Sequence, residues 1–153
     1  RKWDFFSTPV PSPDGTRLWV STQWDRVTHL VELKRDLKTG ELSDAKELMP
    51  AGRGIPGIEI MTWGASNPPS SSPDGTQLYV KTSNGFSVIQ RDPATDRLLN
   101  AKEIIRYDQL IRGLPGKTWD TNGSVLIPSA DGKRLFITVK LDGAKTILEL
   151  VAP

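Results

Sequence analysis

The segment RGLPGKTWDTNGSVLIPSADGKRLFITV, residues 112–139, repeats most elements of RGIPGIEIMTWGASNPPSSSPDGTQLYV, residues 53–80. Internal repetition on this scale governs architecture before any single residue does. Working outward, a Ser-x-Asp-Gly turn occurs three times, in SPDGTRLWV at Asp14, SPDGTQLYV at Asp74 and SADGKRLFI at Asp131, at spacings of 60 and 57 residues. A tryptophan precedes each turn, Trp3, Trp63 and Trp119, by 11, 11 and 12 residues. After the first two turns comes a second hairpin signal, RDLKTGELSDAKEL and RDPATDRLLNAKEI, which places Lys46 and Lys102 equivalently.

Each unit reads as short strands joined by turns. RLWVST, QLYVKT and RLFITV are rich in β-branched and aromatic residues, and each follows an Asp-Gly pair that allows the positive φ of a tight reversal. VTHLVEL, FSVIQR and KTILEL follow as further strands, and Asp-led turns after the first two lead into DAKELM and NAKEII. Four antiparallel strands in 50 to 60 residues describe a blade of a β-propeller, and 13 Gly with 12 Pro leave little room for helices. The expected fold is all-β: four-stranded antiparallel blades over about residues 3–50, 62–107 and, incompletely, 118–153, or about two and a half to three blades. The inner strands are expected just before Asp14, Asp74 and Asp131.

SPDGTQLYV followed by VIQRDPATDRL resembles the repeat of the YVTN and lactonase-like β-propellers, and the resemblance extends over nearly the whole chain. It implies the fold far more than an activity, since turn and core residues are shared by enzymes and binding proteins alike. Lactonase-like enzymes gather His, Arg and Glu on one face. Their Gly-Pro-Arg-His segment is replaced here by GASNPPSSS and GSVLIPSA, which lowers the expectation of catalysis. A closed ring has about four to eight blades, so this chain is expected to be part of a longer propeller or of an assembly that completes one. An open sheet would remain otherwise.

The 153 residues suffice for a real core, and 20 basic against 18 acidic residues are interleaved, which does not point to nucleic acid. The absence of cysteine removes disulfides, thiolate metal sites and cysteine nucleophiles. No apolar run reaches the roughly 20 residues that a membrane helix needs. The chain starts at Arg1 without Met, so removal of a leader or larger upstream region, with a secreted or periplasmic location, is expected.

The lone histidine, His29, alternates with Val27, Val31 and Leu33, and reads as a packed or edge residue with no carboxylate or serine partner at a recognisable spacing. Asp14, Asp74 and Asp131 read as turn residues. No cofactor, metal site or catalytic residue is predicted. The candidate binding residues are Arg53 and Arg112 in the repeated Arg-Gly-x-Pro-Gly loops, with Trp3, Trp63, Trp119 and Asp120. Guanidinium and indole groups on one face suit a protein or carbohydrate partner. The competing reading has the indoles packed between blades and the arginines paired with Asp108 or Asp120. The expected function is therefore a non-catalytic binding module; the alternative is a lactonase-like hydrolase or isomerase completed by residues outside the chain.

Overall fold

The computed structural model describes residues 4–5, 8–24, 27–49, 69–82, 85–95, 97–106, 119–120 and 124–153. Among them every regular element is a strand: β1 Asp4–Phe5, β2 Val10–Pro11, β3 Arg17–Trp24, β4 Val27–Arg35, β5 Leu42–Met49, β6 Ser70–Ser71, β7 Gln77–Thr82, β8 Gly85–Arg91, β9 Leu98–Arg106, β10 Trp119–Asp120, β11 Leu126–Pro128, β12 Arg134–Leu141 and β13 Ala144–Val151. They form three antiparallel sheets. The first runs β1/β2–β3–β4–β5, the second β6–β7–β8–β9 and the third β10/β11–β12–β13. Counted by position across the sheet, this is four, four and three strands, an arc of an incomplete propeller.

The inner strands lie before the three Asp-Gly turns, as their spacing predicts, but two of them are split. β1 pairs with Thr22 and Gln23 while β2 pairs with Leu18 and Trp19, on the same edge of β3. Likewise β10 meets Lys140 and Leu141, and β11 meets Leu135–Ile137.

One hydrogen-bond pattern builds all three Ser-x-Asp-Gly turns. Ser12 Oγ donates to Asp14 Oδ1 at 2.5 Å and accepts from the Arg17 amide at 3.0 Å, while the Thr16 amide donates to Asp14 Oδ1 at 3.1 Å. Ser72, Asp74, Thr76 and Gln77 repeat the pattern, as do Ser129, Asp131, Lys133 and Arg134. The glycines after the aspartates sit at φ +73°, +71° and +70°, a region in which a Cβ is strained. The serine hydroxyl, then the backbone amide, holds each aspartate below the ordinary carboxylate pKa. The sheets are therefore punctuated identically although their faces differ. The third sheet closes β12 to β13 through Asp142 at φ 48° and Gly143 at φ 85°.

Alternation then sorts the side chains into two seams. Trp19 and Leu30 of the first sheet pack with Leu78, Val80, Ile89 and Ala101 of the second. Tyr79, Phe86, Val88 and Ile105, from the opposite side of the second sheet, pack with Leu126, Leu135, Ile137 and Val139 of the third. The middle sheet is thus apolar on both faces, as a sheet enclosed between two others must be.

Candidate functional site

The chemistry-bearing side chains gather at the seam between the first and second sheets. Register sets Trp19 directly opposite Glu32 on the face that meets the second sheet. The indole Nε1 donates to Glu32 Oε2 at 2.9 Å. Arg17 stands 3.8 Å from Glu32 Oε1, and Arg91, arriving from the second sheet, lies 3.6 Å from Oε2. The Arg91 guanidinium is 5.8 Å from the centroid of the Trp19 ring and donates to the Gly75 carbonyl at 3.1 Å. The side chains of Glu32 and Arg91 are each only 5% exposed. A buried carboxylate needs nearby donors and counter-charges, and here the indole donates to Glu32 while two guanidinium groups stand at ion-pair distance from it.

Above this cluster lies a cleft of about 210 Å³, walled by Asp14, Arg17, Asp74, Arg91 and the prolines Pro13 and Pro73. The two Asp-Gly turns form its rim. Its charged walls are committed to one another or to their own turns, so it is the mouth of a structural lock between sheets. Tyr79, equivalent in position to Trp19, has its hydroxyl directed to Gln77 Oε1 at 2.7 Å, and burial, then the Asp74 charge, pushes the phenol pKa up.

His29 is packed, at 7% exposure, on the opposite face of the first sheet. Spacing offers it no recognisable carboxylate partner, and the fold supplies one in Glu47, whose Oε1 lies 2.6 Å from His29 Nδ1. The partner comes from the neighbouring strand β5, eighteen residues away, a distance that local spacing does not reveal. A carboxylate on Nδ1 orients an imidazole, yet it supplies only one part of a nucleophilic site. Among the described residues no group of three or more His, Cys, Asp or Glu is placed to hold a metal ion.

Of the predicted binding residues, Trp3, Arg53, Trp63 and Arg112 lie outside the described residues, and for Trp119 and Asp120 only the backbone pairing is described. The Trp19–Glu32–Arg91 cluster was not among the sequence candidates. Its signal was present: a glutamate on the inward alternation of VTHLVEL, where the second unit has Val88.

A second feature is the outward face of the third sheet. Ile127, Ile147 and Val151 are 55%, 66% and 85% exposed there, around a half-buried Phe136. Phe136 is opposite both Ile127 and Glu149, and Arg134 pairs with Glu149 at 2.9 Å. The corresponding outer face of the first sheet differs: Val20 and Val31 are each 1% exposed.

No protein family matches the sequence, and no curated protein matches it. Among solved structures, the crystal structure of a protein from Lactobacillus plantarum is similar at 18% identity and a TM-score of 0.48, covering 95% of this chain and 41% of that one. The chain thus spans less than half the length of that protein. No helix among the described residues is long and apolar enough to cross a membrane.

Proposed function

We propose that this chain is a non-catalytic propeller segment, part of a larger propeller or assembly, that docks a protein partner through the outward face of its third sheet. The observation that carries this reading is that, among the described residues, Ile127, Ile147 and Val151 stand exposed around a half-buried Phe136 on a sheet whose two equivalents are covered. Apolar residues in one continuous patch mark interaction surfaces, whereas scattered ones do not. Glu149 lies within the stripe, between Ile147 and Val151 and opposite Phe136, and its pair with Arg134 supplies a charged feature that a partner would have to match.

The direct test is Ile147→Lys together with Val151→Lys, followed by binding of an apolar fluorescent dye and by urea denaturation. Docking through this face predicts loss of most dye binding with a stability change of about 0.5 kcal/mol or less, the ordinary range for surface substitutions. A loss of stability comparable with a core truncation would show instead that the stripe is already internal.

A further inference from the structure

Three sheets built on one repeat allow each face to be compared with its equivalents. In the first unit the aromatic Trp19 is paired across the strands with Glu32, with Arg17 two residues before it. In the third, Phe136 is paired with Glu149, with Arg134 two residues before it. In the second, Tyr79 is paired with Val88 and preceded by Gln77, so the carboxylate and the basic residue are both missing.

The covering sheets vary in step. Arg91 covers the Trp19–Glu32 pair, and its amide donates to the Thr76 carbonyl at 2.8 Å. The same backbone bond in the third sheet runs from Ala152 to the Lys133 carbonyl at 2.9 Å, which puts Ala152 at the position of Arg91. Ala152 packs into the apolar seam that covers Tyr79 and Val88. Within this molecule the covering sheet carries arginine over glutamate and alanine over valine. The reason is physical: a carboxylate brought into a seam needs a counter-charge, and a cation brought over valine would have none.

We infer that the outward face of the third sheet is completed by a further sheet of the same repeat, which sets an arginine over Phe136 and against Glu149 as Arg91 is set over Trp19 and Glu32. The inference rests on the docking reading above and adds the chemistry of the partner. A second copy of this chain is a poor occupant, because Arg35, the exposed equivalent of Arg91 among the described residues, borders the first sheet's outer face, already buried at Val20 and Val31. Arg35 itself is exposed, and its amide donates to the Thr16 carbonyl in the position shared by Arg91.

The register also defines the experiment. Pro153 follows Ala152 as Asp36 follows Arg35, so a copy of residues 37–106 appended after Pro153 continues the repeat with an outer strand and a whole second unit. Amide hydrogen exchange is then measured in β12 and β13 of the extended chain, of the chain with Arg91→Ala in the appended copy only, and of the extended chain with Glu149→Gln. The inference predicts exchange slowed at least tenfold by the appended unit, with most of that gain lost in either variant and no further loss when both are combined. Slowed exchange that neither substitution changes would overturn the arginine requirement while leaving the docking reading intact. Exchange unaffected by the appended unit would overturn both, and so would its failure to fold, since the same residues fold against the Trp19 face. Sedimentation of the original chain as a dimer that Arg35→Ala dissociates would identify a second copy as the occupant and also sink the inference.

Discussion

The two seams hold the same kind of sheet by different means. Between the first and second sheets a carboxylate is buried among an indole and two guanidinium groups; between the second and third the contact is aliphatic and aromatic, with Ser70 Oγ donating to the Leu126 carbonyl at 2.7 Å across it. A repeat therefore conserves the backbone geometry of its turns while leaving the chemistry of the contact face free, provided that both sides of a seam change together. The charged seam is the more specific and the less forgiving. Apolar residues tolerate one another in many arrangements, but a buried glutamate accepts only a partner that places cations within reach.

The largest effect is expected at Glu32. Glu32→Ala strands Arg91 in the seam without its carboxylate, and urea denaturation should show a loss of about 3–5 kcal/mol. Replacing the pair, with Glu32→Leu and Arg91→Met together, should recover most of that loss, because an apolar seam of similar volume avoids the desolvation cost. If the double variant is as unstable as the single one, the cluster contributes more than mutual neutralisation and the comparison fails. The apolar seam should respond in proportion to removed volume. Leu135 is fully buried, and Leu135→Ala is expected to cost about 2–4 kcal/mol with no rescue by any charge change.

Acid should affect the three units alike, because their Asp-Gly turns are alike. Asp14, Asp74 and Asp131 have folded pKa values below the ordinary 3.8, so their contribution is complete above that pH and is lost as the pH falls through the lower folded values. Asp74→Asn should flatten the pH dependence of stability below about pH 4 and leave it unchanged near neutrality. A change confined to pH 6–8 would show that another group controls it. The smallest effect belongs to the exposed counterpart of the charged seam. Arg134 and Glu149 are 59% and 53% exposed, and Glu149→Ala in the isolated chain should cost no more than about 1 kcal/mol by the same urea measurement. A cost near that of Glu32→Ala would mean that the third sheet is already covered.

The order of strands within each unit and the Asp-led reversals were legible in the chain itself. Asp-Gly pairs demand positive φ, serine two residues before aspartate supplies the local hydrogen bond, and period-two alternation separates the two faces; all of this acts over fewer than ten residues. The splitting of the inner strands was not legible, because pairs as short as Asp4–Phe5 acquire strand geometry only from the β3 edge beside them. Nor was the union of Glu47 with His29, or that of Glu32 with Arg91, separated by 59 positions. Alternation places Glu32 on a face, but whether that face meets water or an arginine is decided by which sheet stacks against it. The sequence by itself determined three all-β units and their turns, since those depend on local backbone energetics. The tertiary structure alone decided which faces became a charged seam, an apolar seam and an open surface, since burial and counter-charge are properties of two sheets brought together.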